Sequence, residues 1–227
     1  MNPSSKLSPR LNAILELVAQ LQQSAPYQRI WDCCCDHGYL GIKILSENLC
    51  EKLIFVDQLP HIIEQLTEKL MPFSTGNHEL IVADAGALSF DSNQRHLVML
   101  AGVGGECSVE IVTSIKNNHP DVEIDYIFCP SSSHNALREY LAEQNFGLAF
   151  ESIVCEKKRC YEILFVQSND ETNGLPRVSL TCNLWDEDNP VHQSYLSKIN
   201  APRGSKKPKR KSYISRAGDG RLMKLSS

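Results

Sequence analysis

The sequence predicts an α/β fold: one mostly parallel seven-stranded sheet, covered by helices and finished by a C-terminal antiparallel hairpin. Three observations carry that prediction. Five apolar runs of strand length are interleaved with segments of helical periodicity, the pattern of a parallel sheet wound with crossovers. Several of these runs end in an acidic or glycine-bearing turn, the place where Rossmann-like sheets hold ligands. The last two runs, 148–155 and 160–166, are separated only by Glu156-Lys157-Lys158-Arg159. A link that short cannot make a parallel crossover, so these two runs form a hairpin.

Leu7, Leu11, Ile14, Leu15, Val18 and Leu21 recur at helical spacing, and Ser8 followed by Pro9 is an N-cap and first-turn pair. Arg10 stands in that first turn, where a cation gains nothing from the helix dipole, so it is either incidental or held by a partner. Ile30 to Cys34 predicts the first strand, Cys35 to Gly38 a tight turn, and Tyr39 to Leu49 a helix. Leu53 to Asp57 is the second strand. Asp57 lies about 20 residues past the turn, the spacing at which an acid binds ribose hydroxyls; it would also cap the helix opened by Pro60, and the ribose role is favoured.

Ile62, Ile63, Leu66 and Leu70 mark the next helix, Glu79 to Ala83 the third strand, and Asp84-Ala85-Gly86 an acidic turn. Leu97 to Ala101 is the fourth strand and runs into Gly102-Val103-Gly104-Gly105, whose glycines let a ligand or another backbone approach closely. A helix through Val109, Ile111, Val112 and Ile115 follows, then the fifth strand Tyr126 to Cys129 and a helix from Asn135 to Asn145 with Gly147 as its C-cap. Beyond the hairpin come a polar linker at 168–174, a strand at Val178 to Leu184, a short helix at Pro190 to Ile199, and a polar basic tail from residue 201. We therefore divide the chain into a domain at 1–167 and an extension at 168–227.

The 227 residues carry 23 basic and 27 acidic groups, unevenly spread. Nine of the basic groups and a single acid, Asp219, lie from residue 200 onward, so the tail is near +8 and the rest near -12. A basic tail supplies phosphate affinity to an acidic body, or simply remains a solvated end. No apolar run approaches the roughly 20 residues of a membrane span, and the N-terminus lacks a signal-peptide core, so no membrane partner and a cytoplasmic location are expected. Of nine cysteines, Cys33, Cys34 and Cys35 are contiguous, and Cys129, Cys155 and Cys160 lie in apolar strand patterns; all are expected to be reduced. Cys33 and Cys35 should face one side of the strand and Cys34 the other, which makes no ligand set, so no metal is expected.

Acids after the first three strands, without a G-x-G-x-x-G turn, suit a nucleoside cofactor better than a dinucleotide. S-adenosyl-L-methionine, with a ribose, an ammonium and a sulfonium, fits acidic and carbonyl partners. The chemistry points to methyl transfer.

Asp36-His37-x-Tyr39-Leu40, Leu100-Ala101-Gly102-Val103-Gly104-Gly105, the segments Arg138-Glu139-Tyr140-Leu141 and Tyr161-Glu162-Ile163-Leu164, and the opening Leu7-Ser8-x-Arg10-Leu11 together resemble the bacterial tRNA adenine-22 N1-methyltransferase family, over residues 7 to 166. The resemblance implies a class I methyltransferase acting on tRNA. It implies that Asp36, His37 and Gly38 border the methionine part of S-adenosylmethionine, Asp57 its ribose, and Asp84 and Ala85 its adenine. Ala101, Gly102, Gly104 and Gly105 would mark where target base and methyl meet, with Arg10 facing the site. Asp36, His37 and Arg10 are thus the catalytic candidates, although Asp36 equally suits the cofactor's ammonium and for His37 a turn histidine satisfying backbone groups is the favoured alternative to orienting the base. This chain departs from the family at Cys34, where glycine is usual, at Cys129-Pro130-Ser131, where a Gln-Pro-Asn-like loop is usual, and after residue 167, where no helical extension is recognisable. A methyltransferase for a small molecule or a protein, and a non-catalytic nucleic-acid-binding module, are the other two readings.

Overall fold

The computed structural model describes residues 6–73, 76–157, 159–168, 174–182, 188–190 and 192–193. Seven strands form one sheet in the order β3-β2-β1-β4-β5-β7-β6. They are β1 (Arg29–Cys33), β2 (Lys52–Asp57), β3 (His78–Val82), β4 (His96–Ala101), β5 (Ile124–Cys129), β6 (Gly147–Glu156) and β7 (Arg159–Gln167). The first five pair in parallel and β7 enters antiparallel between β5 and β6. The helices are α1 (Pro9–Ser24), α2 (Tyr39–Ser46), α3 (Pro60–Leu70), α4 (Gly105–Asn118) and α5 (His134–Glu143). Between β3 and β4 the chain makes only a 3-10 turn, Ala85–Ala87, capped by the Asp84 side chain accepting from Gly86 N–H at 2.8 Å.

Alternation along the central strands separates two cores. Ile30, Leu97 and Met99 join α1, α2 and α3 on one face, while Trp31, Cys33, Val98 and Leu100 join α4 and α5 on the other. Burial on both sides explains why β1, β2 and β4 read as almost unbroken apolar runs. The chain winds outward from β1 to β3 and then returns to start β4 on the other side of β1. The carboxyl ends of β1 and β4 are therefore the topological switch point, where a crevice opens because the connections leave in opposite directions.

Helix α5 is bolted to the hairpin through a buried charge cluster. Arg138, 1% exposed, donates to Glu162 at 2.7 Å, to Glu151 at 2.9 Å and to the Ser179 carbonyl at 3.0 Å. Two carboxylates and a carbonyl satisfy a guanidinium that burial alone would expel. The Arg138 and Glu162 segments of the sequence motif are thus one contact.

Several local expectations are corrected. Helix α2 stops at Ser46, and α5 stops at Glu143, each because an asparagine, Asn48 or Asn145, takes the left-handed conformation (φ 53° and 59°). The amides of Leu49 and Phe146 then bond back to the Ile44 and Leu141 carbonyls, closing both helices before the expected ends. Gly147 is the first residue of β6 rather than the cap of α5. The hairpin strands run further than expected, to Glu156 and Arg159, which pair with each other; Cys155 lies directly opposite Cys160 in the same register. These two cysteines are joined by a disulfide, contrary to the expectation that they stay reduced. Strand β1 ends at Cys33 and Cys34 is left-handed (φ 55°), so Cys34 packs on the same core as Cys33 and Cys35 on the other, the reverse of the expected pairing. Among the described residues of 178–182 there is no strand; Arg177 alone bridges to Gly147, and Val178 and Cys182 are buried. Pro190, His192 and Gln193 are helical, and the remainder of 194–227, with the basic tail, lies outside the described residues.

Candidate active site

At the switch point lies a cavity of about 760 Å³. Its floor comes from the β1 end and the following turn, with Asp32, Cys34, Cys35, Asp36 and His37, and from Ala101 at the end of β4. Its wall comes from the start of α1, with Ser8 and Arg10, and from Glu156 at the end of β6. Two charged groups distant in sequence, Arg10 and Glu156, therefore face the acidic turn.

The turn is built around Asp57. Its Oδ2 accepts from Asp36 N–H at 3.3 Å and its Oδ1 from Leu59 N–H at 3.0 Å, so one carboxylate ties the first turn to the start of α3. Leu59, not Asp57, is the N-cap of α3. Asp57 is 9% exposed, and one N–H on each oxygen leaves lone pairs for a further donor. Cys34 and Asp36 hold left-handed backbone (φ 55° and 47°), a conformation glycine adopts at no cost. This is the physical reason a glycine suits position 34. Burial pushes the Cys34 thiol up to about 12, and the nearby Cys107, Asp57, Asp32 and Asp84 push the same way.

Asp36 and His37 are well exposed to the cavity, with Asp36 Oδ1 4.0 Å from His37 Nε2. The His37 carbonyl accepts from Lys69 at 3.1 Å. Arg10 lies 4.7 Å over the Tyr161 ring, its Nε 3.8 Å from Glu156. Arg10 Nε and Nη1, Glu156 Oε2 and Ser8 Oγ are buried polar atoms with no hydrogen-bond partner. Ser8 is the N-cap residue of α1, yet its hydroxyl makes no cap bond. Four such atoms beside one cavity are costly unless something else satisfies them.

Among the expected site residues, Arg10, Asp36, His37 and Ala101 line the cavity. Asp57 and Asp84 stand beside it, close enough to raise the Cys34 thiol, with Ala85 buried behind Asp84. Gly38 turns away: a Cβ there would overlap Leu66. Gly102 (φ 105°) faces the Arg10 guanidinium, 3.7 Å from where its Cβ would be. Gly104 and Gly105 admit the 132–133 loop rather than the cavity, since a Cβ on Gly105 would overlap the Ser133 carbonyl.

Asp32 and Glu156 escaped the sequence reading. Asp32 is 5% exposed on the α2 side of β1, and its Oδ2 accepts from Gly41 N–H at 3.1 Å. Burial lifts its carboxyl to about 7, against the smaller lowering effect of that hydrogen bond. An acid inside an otherwise apolar strand was the available signal. Nothing local marked Glu156.

A family model described as a methyltransferase domain matches residues 7–164. The chain belongs to this methyltransferase-domain family. No curated protein matches the sequence significantly. Among solved structures, TrmK of M. capricolum, in complex with S-adenosyl-homocysteine, is 22% identical at a TM-score of 0.66, covering 86% of this chain and 84% of that one. Sp1610 of Streptococcus pneumoniae, a putative tRNA (m1A22) methyltransferase in complex with S-adenosyl-L-methionine, is 22% identical at 0.65, covering 86% and 88%. The B. subtilis M1A22 tRNA methyltransferase TrmK is 18% identical at 0.66, covering 86% and 82%. At these identities the likeness is one of fold: the methyltransferase domain here has the seven-stranded sheet and hairpin of class I methyltransferases. Among the described residues, no helix is long and apolar enough to cross a membrane.

Proposed function

We propose that this methyltransferase uses S-adenosyl-L-methionine to methylate N1 of an adenine in tRNA. The observation that carries the reading is the meeting, at one cavity on the switch point, of an acidic turn and four buried polar atoms that make no hydrogen bond. The names of the three solved relatives support the cofactor and the tRNA target.

The residues fit that cofactor. Asp57 keeps lone pairs for ribose hydroxyls, Asp84 and Ala85 border the adenine side, and Asp36, His37 and Gly38 form the turn for the methionine part. Asp32, lifted to about 7 by burial, ionises readily beside a bound ammonium, which would offset the cost of its charge. When bound, the cofactor supplies an electrophilic methyl group on a sulfonium. The protein's task is then positioning and electrostatics, because adenine N1 already carries a free lone pair and needs no general base. Ala101 lines the cavity on the base side, and Gly102 lies against the Arg10 guanidinium. Arg10, held by Tyr161 and Glu156, lines the cavity with its guanidinium turned to the base, and Asp36 supplies negative charge where the methylated adenine becomes cationic. His37 orients the base from the opposite edge.

Residues 1–167 act as the catalytic unit in this reading, and 168–227 as an extension whose basic end contacts tRNA phosphates. The target adenine is unpaired or flipped, since N1 is hidden in a base pair. The protein works in the cytoplasm, where tRNA is. The test is methyl transfer from labelled cofactor to total tRNA, followed by nucleoside analysis. N1-methyladenosine is expected. Label entering a protein or small-molecule fraction instead would favour the second reading, and RNA binding without transfer the third; either outcome sinks the tRNA assignment.

A further inference from the structure

Away from the cavity, on the other face of the hairpin, three metal-binding side chains converge. Cys155 Sγ, Cys160 Sγ and a ring nitrogen of His192 all lie within 4.8 Å of one another. The two cysteines are opposite each other in the β6–β7 register, with Cα atoms 4.0 Å apart. Side chains of 155, 160 and 162 share the face that carries the Arg138 cluster, whereas Tyr161 points to the face of α1. His192 arrives from the extension, on a helical turn where Gln193 N–H bonds the Asn189 carbonyl at 2.9 Å.

We propose that Cys155, Cys160 and His192 form a site for a thiophilic divalent cation, zinc by its donor chemistry, which the disulfide closes when the hairpin is oxidised. Two thiolates and an imidazole are the soft and borderline donors that select zinc over magnesium or calcium. Tetrahedral zinc needs about 2.3 Å to sulfur and about 2.0 Å to nitrogen, which sets its ligands roughly 3.3 to 3.8 Å apart. All three atoms lie within 4.8 Å of one another, so opening the sulfur bond and rotating the two cysteine side chains apart makes the site. Water takes the fourth position. Cys160 is buried while Cys155 is exposed, so one side is dry and the other admits the ion.

The chemistry balances in both directions. A dithiol reductant gives two electrons and two protons to the disulfide and becomes a disulfide itself; zinc then displaces both protons from the new thiols. In reverse, hydrogen peroxide takes two electrons from the two thiolates, and with two protons yields two waters, the disulfide and free zinc.

The full chain, reduced with a phosphine and freed of metal, is titrated with cobalt(II) and then zinc. One equivalent of cobalt is expected, with thiolate-to-cobalt charge-transfer absorption that zinc bleaches. Cys155→Ser should abolish that absorption, His192→Ala should weaken uptake by more than about tenfold, and Cys50→Ser should leave both unchanged. Peroxide should release the zinc and form one disulfide. As a measurement on the unaltered chain, zinc should slow alkylation of Cys155 and Cys160, mapped by mass spectrometry, but not of Cys107. Absence of the charge-transfer band in the reduced chain, its persistence in Cys155→Ser, unweakened binding by His192→Ala, or unprotected Cys155 and Cys160 would each overturn the proposal.

Discussion

Replacing Asp32 with asparagine removes a buried ionisable group and keeps an oxygen to accept from the Gly41 N–H. Burial raises this carboxyl from 3.8 to about 7. Roughly three pKa units at about 1.4 kcal/mol each amount to about 4 kcal/mol, an upper figure because the site relaxes around the charge. The folded chain holds this proton more tightly than the unfolded chain. The stability it contributes is therefore complete below about pH 4 and is lost as the pH rises through about 7. Asp32→Asn lacks that loss. Urea unfolding of both proteins at a series of pH values, without cofactor, should show the variant gaining on the wild type by roughly 2 to 4 kcal/mol between about pH 4 and pH 8, then running parallel above it. Parallel curves across the whole range would refute the reasoning, since they would mean that Asp32 ionises in the folded chain as it does in the unfolded one.

Asp57→Ala removes a charge-assisted acceptor from both the turn and the proposed ribose contact; cofactor affinity by calorimetry should fall by roughly 1.5 to 3 kcal/mol, and unchanged affinity would count against the ribose role. His96 is buried, accepts from Trp31 Nε1 at 3.1 Å, and contacts the Asp91 carbonyl at 2.8 Å through its other nitrogen. Burial lowers its pKa, so the stability it contributes is present above about 6.5 and is lost as the pH falls below that value; His96→Gln should flatten this acid limb of the unfolding curve. Deleting residues 203–216 should weaken tRNA binding and reduce its dependence on salt without altering cofactor affinity, and an unchanged salt slope would assign tRNA binding to the folded domain.

Hydrophobic periodicity is a local property, and it determined what it governs. The five parallel strands, the five helices and the closing hairpin are legible because each must bury one face or two, and the short link after Glu156 dictates antiparallel return. The acids at the strand ends are legible for the same reason, since strand ends in such a sheet gather at one edge. Tertiary structure decided the rest. Which glycines face the cavity depends on what lies across from them: Gly105 yields to the Ser133 carbonyl and Gly102 to Arg10, from the same short stretch. Helix ends moved with the asparagine caps. Arg10 reads as a misplaced cation in a first turn; only the packing of α1 on the hairpin brings Tyr161 and Glu156, some 150 residues later, to hold it over the cavity. Contacts over such separations are chosen by how the faces of the sheet close, and no window of sequence contains both partners.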